Sequence, residues 1–250
     1  MASNLGTQNE DNFVYEIHNR KFKDLNKNLQ FFVQYIFCHV KDDDILYCYK
    51  TEDYIKPDIC IQWKDKEAFV SLKFGVSDTI HGESIKSFTD FLRTKGIEER
   101  VINTLLLFAY GDGTTDGSGT IRKNGIEIRY ELKDEIEYMN MRLNESKEFV
   151  KAVVNRVLFE GVNPLAYKAG YVYHGSIEYG DFVSKNQVLK HIDRKNWDFM
   201  DCPHIGPIVF RPHARYSGKE ILHEKFRNEL KFTWPNLLSD IRYISKRYNF

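Results

Sequence analysis

The sequence PDICIQWKDKEAFVSLKF, residues 57–74, contains two runs of alternating side chains separated by the charged segment 64–67. Alternation of this kind, with isoleucine, valine and aromatic residues on one side, is typical of strands that bury one face. Pro57 is compatible with the first position of a strand, where no ladder donor is needed. The stretch therefore predicts a β-hairpin whose two strands run over about 58–63 and 68–74.

The predicted hairpin has one apolar face and one polar face. A turn centred on Asp65 and Lys66 places Asp58 directly opposite Lys73, with Ser71 on the same face because side chains alternate along a strand. A slip of one residue would bury these polar groups and expose the apolar ones, so the alternation favours this pairing. The sequence thus predicts an acid and an amine side by side.

The segments around the hairpin supply the remaining elements of an α/β fold. Apolar residues recur at helical spacing over 20–39, and 45–49 has the composition of a strand. A second amphipathic helix is predicted from 85 to 92, ending at Gly96. The continuous apolar run 101–109 predicts a central strand covered on both faces. The predicted order is therefore αβββαβ.

A carboxylate and a lysine at such close range suit phosphodiester hydrolysis. Asp58 offers an oxygen ligand for Mg²⁺, or Mn²⁺, which polarises a phosphate and lowers the pKa of a bound water. Lys73 can orient that water or neutralise charge in the transition state. The same residues leave a different enzyme open, since a desolvated Lys73 could serve as base for a nucleophilic Ser71 in a metal-free Ser-Lys hydrolase.

Pro57-Asp58 followed by Ser71-Leu72-Lys73, in this element order, resembles the PD-(D/E)xK motif of restriction-endonuclease-like nucleases. The resemblance covers about residues 20–110, and Ser71 stands where the family has an acid. A branch of type II restriction enzymes shows this SxK variant and takes its second carboxylate from the next helix. The resemblance implies that Glu83, within His81-Gly82-Glu83, binds the metal with Asp58. It also implies cleavage that leaves a 5′-phosphate and a 3′-hydroxyl.

Three further residues are possible assistants of the predicted site. His81 precedes Glu83 at the entry of the predicted helix. Glu16 lies before the first predicted helix, where a glutamate sometimes assists in this family. Gln62 shares the polar face of the hairpin with Asp58, farther along the strand.

The C-terminal half is predicted to form an α+β extension with a basic segment. From Arg211 to Phe250 the sequence has nine Lys/Arg against four Asp/Glu, although the whole chain has zero formal net charge. Basic side chains that follow a strand can contact phosphates or read guanine edges of double-stranded DNA. The candidates for DNA binding are Arg211, His213, Arg215, Lys219, Lys225 and Arg227. A solvated charged face is the alternative.

The sequence predicts a polar, disordered tail over 1–12, a nuclease core over 13–162 and the extension over 163–250, with one continuous domain as the alternative. In the C-terminal half, helices are predicted within 131–160, at 184–192 and at 235–247, and strands at 170–182 and 206–211. Four cysteines without metal-type spacing, the lack of an apolar leader and the lack of a membrane-length apolar run favour a cytoplasmic protein.

The leading interpretation is a Mg²⁺-dependent DNA endonuclease of restriction type. Cleavage of both strands with one site per chain favours a homodimer, because a palindromic target matches two-fold symmetry. The main alternative is a catalytically inactive or weakly active nucleic-acid-binding module on the same fold, because a fold does not guarantee its chemistry.

Overall fold

The computed structural model describes residues 5–52, 55–75, 79–197, 202–213 and 225–248. The chain divides into two compact units, one of residues 1–77, 155–191 and 236–250, the other of residues 78–154 and 192–235. Each unit is assembled from separate stretches of chain, so this division does not coincide with the sequence-based boundary after residue 162. The hairpin 57–74 belongs to the first unit.

The first unit is built on a six-stranded mixed sheet in the order β1-β2-β3-β4-β6-β7. β4 and β6 run parallel and the other neighbours run antiparallel. The strands are β1 (Arg20–Lys21), β2 (Ile45–Lys50), β3 (Ile59–Trp63), β4 (Lys66–Lys73), β6 (Tyr171–Gly175) and β7 (Gly180–Ser184).

Helices α1 (Leu5–Ile17) and α2 (Lys27–Phe37) bury their apolar stripes with the apolar face of this sheet. α2 begins where the side chain of Asn26 accepts a hydrogen bond from the backbone of Leu29, which caps the helix. Phe13 and Ile17 of α1 are fully buried. The prediction of a disordered tail was therefore wrong for residues 5–12, because their helix is anchored by this burial; residues 1–4 lie outside the described residues.

The C-terminal part of the chain completes the first unit. The strands expected within 170–182 are the hairpin of β6 and β7, and the two short helices expected after them are α8 (Lys185–Arg194) and α9 (Leu237–Tyr248). α9 packs against β7 and buries Ile241 and Ile244. A five-residue π-helical turn, Arg156–Glu160, precedes β6.

The second unit contains an antiparallel four-stranded sheet in the order β5-β10-β9-β8. Its strands are β5 (Thr79–Ser84), β8 (His204–Ile205), β9 (Ile208–Pro212) and β10 (Glu229–Thr233), and its helices are α3 (Ile85–Thr94), α4 (Glu99–Tyr110), α5 (Gly125–Glu131), α6 (Lys133–Asn144) and α7 (Lys147–Asn155). Phe88 of α3 packs on Phe210 and Phe232, so one face of the sheet forms an aromatic core.

The apolar run 101–109 is helical, and its prediction as a central strand was wrong. It forms most of α4, and its buried positions Val101, Ile102, Leu105 and Phe108 have helical spacing. The helix ends at Gly111, which takes a left-handed conformation with φ of 67°. In the sheet, β4 lies between β3 and β6.

The α/β class and the mixed sheet flanked by helices are confirmed. Over the described ranges, no helix is long and apolar enough to cross a membrane. The four cysteines are free thiols.

Candidate active site

The register of β3 and β4 differs from the predicted one by two residues. The turn consists of Lys64 and Asp65, and Trp63 pairs with Lys66 rather than with Ala68. Lys64 has a φ of 56°, a left-handed conformation that a two-residue hairpin turn accommodates. Continuing the ladder, Asp58 lies opposite Ser71 and Lys73 lies diagonally from it, so the predicted direct pair was wrong. A shift of two residues leaves the faces unchanged, so the three polar residues still share a face.

The carboxylate of Asp58 is held firmly by one of its oxygens. Oδ2 accepts hydrogen bonds from the backbone N–H of Leu72 at 2.5 Å and from Oγ of Ser71 at 3.1 Å. Oδ1 accepts none from any residue that the structure describes. The side chain is 26% exposed. Asp58 therefore presents an oriented, accessible oxygen at the beginning of β3.

Lys73 brings a positive charge to the same carboxylate. Its Nζ lies 3.7 Å from Asp58 Oδ2 and donates a hydrogen bond to the carbonyl oxygen of Leu72 at 2.9 Å. Only 16% of the side chain is exposed. Two contacts thus fix the ammonium group beside the acid, although the pair is not a direct cross-strand pair.

Ser71 is fully buried, and its hydroxyl donates to Asp58. A nucleophilic serine has to reach a substrate carbonyl, which a side chain with no exposed surface cannot do in this structure. The contacts of Ser71 therefore favour a role in orienting Asp58 over the role required by a Ser-Lys hydrolase.

A second carboxylate, Glu10, lies near Asp58, and sequence reasoning missed it. Burial, and after it the negative charge of Asp58, raises the pKa of Glu10, while Lys50 acts in the opposite direction. Lys50 Nζ lies 3.5 Å from Glu10 and 2.7 Å from Asp11. The prediction of a disordered tail over 1–12 leaves Glu10 outside the predicted site. An available signal was the helical spacing of Asn9, Phe13 and Ile17, which α1 buries.

Glu83 and His81 belong to the second unit. Glu83 is the penultimate residue of β5, directly before Ser84, the N-cap of α3. Its side chain is 1% exposed; it accepts a hydrogen bond from Ser87 and lies 3.7 Å from His81 Nε2. The proposed partnership of Glu83 with Asp58 remains a prediction.

Glu16 and Gln62 are engaged elsewhere in the first unit. Glu16 pairs with Arg20 at 3.9 Å, and six residues of α-helix separate it from Glu10 by about 9 Å along the axis. Gln62 donates to Glu67 on the neighbouring strand. It lies four residues from Asp58, about 13 Å along the strand.

The polar face of the six-stranded sheet continues from Lys73 onto the next strands. Lys73 pairs with His174 of β6, and His174 pairs with Asp181 of β7. Asp181 in turn accepts from Nε of Arg242 at 3.1 Å. A cleft of about 450 Å³, which His174, Asp181 and Arg242 help to line, begins at Phe74 directly after Lys73. The candidate site therefore adjoins an open space that is lined by both charged and apolar side chains.

Among Lys73, His174 and Asp181, which are neighbours across β4, β6 and β7, His174 is the buried titratable group. Burial lowers its pKa, with Lys73 and Arg242 acting in the same direction and Asp181 opposing them. The neutral imidazole is consequently favoured beside the ammonium group of Lys73.

The predicted DNA-binding residues have different surroundings in the second unit. Arg211 is exposed on β9. His213 stacks on Phe226, and its Nδ1 lies within hydrogen-bonding distance, 2.8 Å, of Glu229 Oε2. The side chain of Lys225 lies over the ring of Phe226.

Arg227 is engaged in the structure rather than turned to solvent. It donates to the fully buried carboxylate of Asp112 and to the carbonyl oxygen of Gly119, which connects the turn before β10 to the glycine-rich loop 111–119. Arg215 and Lys219 lie outside the described residues.

Comparisons with known proteins give a structural match only. The structure is similar to that of the restriction endonuclease MspI in complex with its cognate DNA, with a TM-score of 0.52 and 9% sequence identity. The match covers 91% of this chain and 88% of that one. No family model and no curated protein matches the sequence. The likeness establishes a restriction-endonuclease-like fold.

Proposed function

We propose that this protein is a Mg²⁺-dependent DNA endonuclease of restriction type, a PD-(D/E)xK nuclease of the SxK variant. The observation that carries the proposal is the fixed carboxylate of Asp58 beside Lys73 in a restriction-endonuclease-like fold, with one oxygen that accepts no hydrogen bond from the described residues. The substrate is double-stranded DNA. A homodimer with one site per chain fits a two-fold symmetric target.

The carboxylates around Asp58 fit a hydrated divalent cation. Within the described ranges, no group of three or more His, Cys, Asp or Glu side chains is arranged as a metal cage. Mg²⁺ does not need one, because it keeps several waters and is usually held by one or two carboxylates and substrate phosphates. Among the described residues Asp58 Oδ1 accepts no hydrogen bond, and the pKa of Glu10 is raised first by burial and then by the negative charge of Asp58.

Glu10 is the better supported candidate for the second carboxylate. Burial and, after it, the charge of Asp58 raise its pKa, and its side chain is 27% exposed, whereas the side chain of Glu83 is almost completely buried. Glu83 remains the alternative that the family resemblance suggests. Mn²⁺ would satisfy the same oxygen ligands.

Asp58, Ser71 and Lys73 would have different roles in phosphodiester hydrolysis. A bound Mg²⁺ supplies Lewis acidity toward the phosphate and lowers the pKa of a coordinated water. Ser71 and the N–H of Leu72 hold Asp58 through Oδ2, which would leave Oδ1 to hold the ion. Lys73 orients the attacking water or neutralises charge that develops on the phosphate oxygens.

The test is cleavage of a long double-stranded DNA with Mg²⁺ or with EDTA, comparing the wild type with Asp58→Asn and Lys73→Met. Lys66→Met is the matched control, because it removes a lysine from the exposed beginning of the same strand. We expect cleavage by the wild type and by Lys66→Met only when Mg²⁺ is present. DNA binding without cleavage by the wild type would favour the inactive binding module instead.

The second carboxylate is assigned by comparing Glu10→Gln with Glu83→Gln. Asp11→Asn is the control for Glu10, since Asp11 shares Lys50 with it but is exposed. A loss of cleavage in Glu10→Gln but not in Asp11→Asn supports Glu10. A loss confined to Glu83→Gln, with the fold retained, supports the ligand suggested by the resemblance.

A further inference from the structure

The solvent-facing side of the four-stranded sheet carries two cations directly opposite each other. Lys231 of β10 pairs with Arg211 of β9, and on its other side Lys231 pairs with Gly82 of β5. The three residues form a row across three strands, which we call the cationic row. Arg211 is exposed and Lys231 is partly exposed.

Like charges at directly opposed positions destabilise a strand pair, because their Cβ atoms are only about 5 Å apart. Across the residues that the structure describes, neither Arg211 nor Lys231 forms an ion pair or a side-chain hydrogen bond. The nearest acid along β10, Glu229, is engaged by His213. Among the described residues, two adjacent positive charges within one short row are therefore left without a compensating acid.

The side of the row next to β5 is open because Gly82 has no side chain. A Cβ placed there would meet only the carbonyl oxygen of Leu230, at 3.7 Å, so the space is not filled by a neighbour. The neighbouring acid, Glu83, is on the opposite face of the sheet, where it is buried. An anion can thus approach Lys231 without meeting a carboxylate from β5.

We propose that the cationic row binds the phosphodiester backbone of double-stranded DNA, which deepens and rests on the proposed nuclease function. Arg211 offers a planar fork for two phosphate oxygens, and Lys231 adds a point charge within reach of the same or the neighbouring phosphate. Contacts of this kind fix the position of the protein on the duplex but do not read its sequence. The cationic row adds Lys231 and Gly82 to the DNA-binding residues predicted from the sequence, and it pairs Arg211 with Lys231.

The experiment measures binding of a mixed-sequence duplex by fluorescence anisotropy in EDTA, so that cleavage plays no part. Arg211→Gln, Lys231→Gln and the double variant are compared with Lys133→Gln, an exposed lysine of the same unit that forms no ion pair with the described residues. Loss of one phosphate contact should weaken binding about eightfold at 0.1 M salt and reduce the salt slope by about 0.9. In the double variant the salt slope should fall by about twice as much as in a single variant. Lys133→Gln should have the affinity and the salt slope of the wild type.

Thermal unfolding provides a second readout. Since the substitutions remove a repulsion, the melting temperature should stay unchanged or rise, whereas a residue with a purely structural role would lower it. Wild-type binding and salt slope in the double variant would overturn the proposal, as would a wild type that does not bind DNA. Binding that depends on the row, in a protein that does not cleave with Mg²⁺, would refute only the nuclease function.

Discussion

The substitution Asp58→Asn should separate the structural role of Asp58 from its chemical role. The hydrogen bonds that the described residues give to the carboxylate both reach Oδ2, from Ser71 and from the N–H of Leu72. The amide oxygen of asparagine can accept both bonds, with its NH₂ group in the place of Oδ1. The substitution therefore keeps the local geometry and removes the oxygen proposed to face the metal.

The expected changes in the free energy of unfolding follow from the two hydrogen bonds that Oδ2 accepts. Hydrogen bonds to a charged acceptor contribute about 1.5–3 kcal/mol each, and stranding a buried donor adds a desolvation cost. The loss of repulsion on Glu10 offsets part of this, so we expect Asp58→Ala to lower the free energy of unfolding by about 2–4 kcal/mol. Asp58→Asn keeps both bonds with a neutral acceptor and should cost about 1 kcal/mol or less. Cleavage should fall more than about 100-fold in both variants.

The assay pairs urea unfolding, followed by circular dichroism, with cleavage of a long duplex in Mg²⁺. The reasoning is refuted if Asp58→Asn cleaves within about tenfold of the wild type. It is also refuted if Asp58→Ala is as stable as Asp58→Asn, because the hydrogen bonds of Oδ2 would then contribute nothing measurable.

Three further predictions concern the surroundings of Asp58. Lys73→Arg should retain more cleavage than Lys73→Met, because it keeps the positive charge; equal loss in single-turnover cleavage would argue against a charge role. Calorimetric titration with Mn²⁺ should show weaker binding to Glu10→Gln than to the wild type, and unchanged binding would remove Glu10 from the site. Because burial lowers the pKa of His174, the unfolded state binds more protons than the folded state. The free energy of unfolding should consequently decline as the pH falls below about 6.5, the ordinary pKa of histidine, and His174→Gln should flatten this decline; an unchanged slope in urea titrations would contradict it.

The hairpin and the sharing of one face by Asp58, Ser71 and Lys73 could be predicted from the sequence, because alternation of apolar residues determines the faces. Its register could not, because pairings two residues apart bury the same side chains. The geometry of the turn at Lys64 and Asp65 makes that choice.

Other parts of the fold depend on contacts that no local pattern contains. The run 101–109 is apolar enough for either a buried strand or a buried helix, and periodicity alone does not distinguish them. The sequence around Glu10 is polar and therefore predicts disorder, although three positions on one side of α1 are buried. The placement of His174 beside Lys73 depends on a parallel pairing between strands remote in sequence.

That parallel pairing also has a consequence for how the protein is made. On a ribosome, β4 emerges long before β6, and until Tyr171–Gly175 is synthesised one edge of the nascent hairpin has unpaired backbone groups. A chain truncated before residue 171 would keep that edge permanently. During translation, β4, the strand that carries Lys73, is therefore more exposed to aggregation than β3. Its edge is covered only after β6, which is encoded in the second half of the gene, has been synthesised.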